Sequence, residues 1–168
     1  MGQPVTPLPA AKAFGEDEPS VLLGYLTYHR TVLARKAEGL TDEEVRLAAS
    51  PPSTITLLGL IRHMTDVERW WFRRVHLGED LPALFDDEAE WQLPADATMA
   101  DALEAYWAEI AVIDRHLAAA SMDDLNKGGP DPGQHTLRRA IVHMIEEYAR
   151  HCGHADLLRE AIDGVTGD

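Results

Sequence analysis

Cysteine is almost missing from this 168-residue sequence: Cys152 is the only one. No intrachain disulfide can form, and a reduced, cytoplasmic compartment is the simplest expectation. Basic charge is scarce as well. Fifteen Lys and Arg stand against 29 Asp and Glu, a formal net charge of −14. That surface repels polyanions, which argues against nucleic acid or an anionic membrane as partner. No apolar run approaches the roughly 18 residues of a membrane span. The first residues lack a basic start followed by an apolar stretch, so no signal peptide is expected. Alternating strand patterns of any length are absent, as are internal repeats, a phosphate loop, a nucleophile elbow and a dinucleotide fingerprint.

What is there reads as helix. The opening "MGQPVTPLPAAKAFGEDEP" carries four prolines and two glycines. It predicts an irregular arm over 1–18, ahead of one helical domain over 19–168. A first helix is expected from Ser20 to Glu38, with an apolar stripe of Leu22, Tyr25, Leu26, Val32 and Leu33 and Gly39 as its stop. Thr41 and Glu44 have capping-box spacing, which predicts a short extra helix. A second long helix is expected over 54–77 and a third from "MADALEAYWAEIAVIDRHL". After the breaker "NKGGPDPGQ" a fourth runs over about 135–162. The acidic "EDLPALFDDEAEWQLPADAT" reads as a long crossover loop. Four long helices with one long connection predict an all-α four-helix bundle.

Facing helices of a bundle can project ligands inward, so polar residues on inner faces matter. In "EEYARHCGHADLLRE", turning about 100° per residue, Glu147 and His151 fall in the apolar stripe of Ala140, Met144 and Leu158. Glu146 and Arg150 point outward and are spaced as a surface pair. A carboxylate on a buried face needs a cation or a strong donor. Glu-x-x-x-His can supply two ligands to one ion, or Glu147 can pair with an arginine beside a core histidine. On the second long helix, His63 lies at the edge of an apolar face made by Leu60, Met64, Val67 and Trp71. It offers a third ligand, and three protein ligands leave positions open for water or substrate.

"TLLGLIRHMTDVERWWFRRV" and "HMIEEYARHCGHADLLREAIDG" resemble the mini-circle-protein branch of the DinB/YfiT-like superfamily. That superfamily also includes the metal-binding domain of mycothiol-dependent maleylpyruvate isomerase. The resemblance implies a DinB-like four-helix bundle with a divalent metal held by His63, Glu147 and His151. Many relatives have histidine where Glu147 stands, and Arg-Gly-Gln where this chain has Cys152-Gly153-His154. The glutamate matches a His/Glu/His variant seen in the isomerase branch. Zinc suits this donor set, and nickel, iron or manganese can use it too. The implied activity is that of a metal-dependent transferase or isomerase with a small thiol such as mycothiol as cosubstrate and an electrophile as partner. The nucleophile is then a metal-activated thiolate or water. The alternative class is a non-catalytic metal-binding or stress-associated bundle. A homodimer is carried as an assembly state that nothing in the sequence decides.

The remaining candidates are secondary. His143 and His154 are placed to hydrogen-bond a ligand or line the pocket. His29, beside Tyr25 and Tyr28, is a candidate for its mouth, and Trp70 for its wall, with Trp71 as core. Cys152, about 100° from His151 around the helix, is a poor ligand and a weak nucleophile. His76, His116 and His135 lie near segment ends and are expected at the surface.

Overall fold

The computed structural model describes residues 15–85 and 91–167. The first fourteen residues of the expected arm therefore lie outside the described part. Four helical stretches form the domain: α1 (Glu18–Arg35), α2 (Leu57–Glu68) continuing directly into a π-helix (Arg69–His76), α3 (Met99–Leu117) and α4 (Leu137–Asp163). Among the described residues there is no strand, and Leu125 and Thr136 form one isolated antiparallel bridge. The all-α bundle expected from the sequence is the fold found.

Each long helix begins on a polar side chain that accepts a backbone N–H three residues on: Asp17, Thr56, Thr98 and Thr136. Such a cap is typically worth about 0.5–2 kcal/mol. α4 ends on Gly164 at φ +80°. The Thr41–Glu44 box is present, with the Glu44 carboxylate accepting from Thr41 N at 2.8 Å. It opens a 3-10 turn (Glu44–Arg46) rather than an α-helix.

α1 lies chiefly against α4, and α2 against α3. Leu26, Leu33, Leu58, Ile61, Met64, Ile113, Ile141 and Met144 are among the residues that fill the space between them. Tyr25 is 47% exposed, so it does not belong to the α1 stripe. Arg30 does, one turn beyond Leu26.

Arg30 sits at the centre of a buried polar network that joins all four helices. Its Nε and Nη2 each donate to the Glu68 carboxylate of α2 at 2.6 Å, and its Nη1 donates to Asp114 of α3 at 2.8 Å. Tyr148 of α4 donates to Glu68 Oε1 at 2.8 Å, and Tyr106 of α3 donates to the Tyr148 hydroxyl at 2.9 Å. Burial works against the Arg30 charge, but the Glu68 carboxylate outweighs it and raises the guanidinium's pKa. Burial, then the Glu68 charge, drives the pKa of both phenols well above the usual tyrosine value.

The second long helix departs from the expected geometry at Arg69. Its i→i+5 bonding, for example Leu77 N to Phe72 O at 3.0 Å, spreads each turn over more residues than an α-helix does. A 100° projection therefore drifts along the segment. The widened turns carry Arg69 and Arg73 onto Glu109 of α3, at 2.8 and 3.2 Å. They also bury His76, which is 3% exposed and not at the surface as its place near a segment end suggested.

Candidate metal centre

α2 and α4 bring His63 and His151 together, their ring centres 4.9 Å apart and edge to face. Two imidazoles sharing one ion, at about 2.0–2.1 Å per bond, have ring centres roughly 5 Å apart. Along α4, Glu147 Oε2 lies 3.5 Å from His151 Nε2. His154 Nδ1 lies 3.3 Å from His151 Nδ1, and His143 Nε2 lies 3.8 Å from Glu147 Oε1. The spacing of the last helix thus gathers Glu147, His151, His154 and His143 as one row.

As placed, the row is not a finished cage. Arg150 Nη1 stands 3.2 Å from Glu147 Oε1 while its Nη2 reaches Glu146 at 3.2 Å. The carboxylate is held by the arginine pair that the sequence offered as the other explanation for it. Among the described residues, no group of three His, Cys, Asp or Glu side chains is arranged to hold an ion. The donor chemistry nevertheless fits one. Burial, reinforced by positive charge at His63, His154 and Arg150, pushes the His151 pKa down to about 4. At neutral pH the ring is uncharged, the form that ligates metals.

Two aromatics flank the row, and neither is Trp70. Trp91, in the crossover loop, stacks on His63 with ring centres 5.1 Å apart and planes inclined 29°. Trp71 packs on His143 at 4.4 Å. Trp70 is 37% exposed and lies under the Arg74 guanidinium at 4.6 Å. Trp91 was missed because it sits in a segment without helical period. Its one signal was a lone tryptophan among acids. The loop that carries it is strapped to α2 by Leu84 N donating to Asp66 at 2.7 Å and by Arg62 over Phe85 at 4.1 Å.

His29 packs edge-on against Tyr28, and its carbonyl faces Cys152 Sγ at 3.7 Å. Burial pushes the Cys152 thiol up to about 12, which disfavours its thiolate form.

A family model for mycothiol-S-transferases matches residues 21–164, nearly the whole domain. The chain belongs to the mycothiol-S-transferase family. This is a DinB/YfiT-like family, as the helix motifs indicated. No curated protein matches the chain. Among solved structures, a conserved protein from Enterococcus faecalis superposes with a TM-score of 0.60 at 16% identity, covering 90% of this chain and 100% of its own. At that identity the likeness is one of fold. No helix among the described residues is long and apolar enough to cross a membrane.

Proposed function

We propose that this member of the mycothiol-S-transferase family transfers the thiol of mycothiol to a small electrophile, at a divalent-metal centre built from His63, Glu147 and His151. The observation that carries the reading is the meeting of His63 and His151 from separate helices at 4.9 Å, beside a carboxylate. Zinc is the first choice of ion, with nickel, iron or manganese able to use the same donors. When bound, such an ion lowers the pKa of a thiol and so supplies thiolate at neutral pH.

The chain's own residues do the rest. His151 offers an uncharged imidazole. Glu147 brings one negative charge, so a divalent ion would keep a net positive charge with which to attract a thiolate. Trp91 covers one face of His63 and limits the approach of water to it. Overall, the thiol sulfur bonds to the electrophilic carbon, the leaving group departs with its electron pair, and the thiol proton passes to solvent. The reaction calls for a compartment that keeps the thiol reduced, which favours the cytoplasm.

A second reading, a non-catalytic metal-binding bundle, draws on the Arg150–Glu147 pair, which holds the carboxylate without any ion. Purified protein incubated with mycothiol and an alkyl halide separates the two. Loss of free thiol should be enzyme-dependent, should fall after chelation and should return with added zinc. Metal uptake without turnover over a range of electrophiles supports the second reading and overturns the first.

A further inference from the structure

A second pair of histidines meets away from the row on α4. His76 ends the π-helix, and His116 stands in the last turn of α3. Their ring centres are 5.6 Å apart with planes inclined 53°. His76 Nδ1 and His116 Nε2 are both sealed from solvent, and neither has a hydrogen-bond partner. Buried polar atoms are nearly always paired, so two orphaned imidazole nitrogens on touching rings call for an explanation.

The helix ends favour a cation. Both rings sit at helix C-termini, where the backbone dipoles place partial negative charge. Burial and then the neighbouring His116 act against a proton on His76, with Asp124, in the connection after α3, acting the other way and Lys127 again against it. The connection is pressed firmly onto the π-helix. Lys127 N donates to His76 O at 3.0 Å and Gly128 N to Val75 O at 2.9 Å. A Cβ at Gly128 would fall 2.2 Å from the Arg74 carbonyl oxygen, so only glycine allows this approach.

We propose that His76 and His116 are the two imidazole ligands of a second divalent transition-metal site, its remaining positions open to water. The 5.6 Å separation suits two bonds of about 2.0–2.1 Å meeting at an open angle. Imidazole donors select zinc, copper or nickel over calcium or magnesium. An ion there clips the end of the π-helix to the end of α3. The site is structural, and it stands whether or not the chain transfers thiols.

The test is a zinc titration of the full-length His63→Ala/His151→Ala variant, from which both imidazoles of the candidate metal centre are gone. One ion per chain should still bind, and adding His116→Ala should weaken that binding at least tenfold. His116 is only half-buried, so this substitution is the milder of the two. Should the triple variant not fold, the ring nitrogens of His76 and His116 are followed by NMR in the His63→Ala/His151→Ala protein, where zinc should shift both. A flat titration in that protein overturns the site, and so does zinc retained undiminished after His116→Ala. A proton shared between the two rings predicts the flat titration and would then be the explanation of the pair.

Discussion

Tyr148 donates to the buried Glu68 carboxylate at 2.8 Å, one residue along α4 from Glu147 and five residues along α2 from His63. The bond fixes the register of the two helices that carry the candidate ligands. Tyr148→Phe keeps the ring and loses the bond, and should destabilise the fold by about 1.5–3 kcal/mol, the usual range for a hydrogen bond to a charged group. Glu68→Ala should cost more, about 3–5 kcal/mol, because it strands the Arg30 guanidinium without its main partner. Urea unfolding of the two variants checks the order. Equal stability of parent and Glu68→Ala would show that the network contributes nothing.

Tyr106 and Tyr148 stay protonated while the bundle stands, because burial and then the Glu68 charge raise both pKa values well above 10.0. The unfolded chain gives up those protons as pH rises through 10.0, whereas the folded chain keeps them. Stability should therefore fall with rising pH above that point. Absorbance near 295 nm should report ionisation of these two rings only together with loss of helical circular dichroism. Their ionisation in a protein that is still fully helical would contradict the burial.

Gly59 lies beneath Trp91. A Cβ there would come within 2.9 Å of the Trp91 ring and 3.1 Å of the Thr56 hydroxyl. Gly59→Ala should push the indole off His63, seen as a change in tryptophan emission, with helix content kept. Trp91→Ala should remove the same stacking contact. Unchanged emission from Gly59→Ala would mean that the loop does not lie on α2 as described.

Cys152 is 7% exposed, and its thiol is pushed up to about 12. Iodoacetamide at mildly alkaline pH should leave the native protein unmodified and should alkylate Cys152 fully in denaturant. Fast labelling of the native chain would show that α1 and α4 open readily at that point.

The helices were legible because their apolar residues repeat at helical spacing and each is opened by a capping side chain such as Thr56 or Thr136. The row Glu147, His151, His154 was legible by the same projection, which placed a carboxylate in an apolar stripe. That signal was present again and passed over. Arg30 falls between Leu26 and Leu33, and Glu68 between Met64 and Phe72, so both charges lie in stripes that turn inward. Each needed its partner from another helix before burial made physical sense, and no local pattern names that partner. His76 escaped for a different reason, the switch from α to π bonding at Arg69, which alters the angle per residue. Trp91 lies in a loop, where periodicity has nothing to say.

The central claim rests on Glu147, and a zinc titration of Glu147→Gln against Glu146→Gln tests it most directly. The two acids are neighbours in sequence and share Arg150, but Glu146 is largely exposed and Glu147 faces His151. If Glu147 is a ligand beside His63 and His151, Glu147→Gln should weaken zinc binding more than about 100-fold, past the range for losing an outer partner. Glu146→Gln should bind like the parent, and Glu147→His should retain an ion. Parent-like zinc binding by Glu147→Gln would contradict the account and leave Arg150 as that carboxylate's partner.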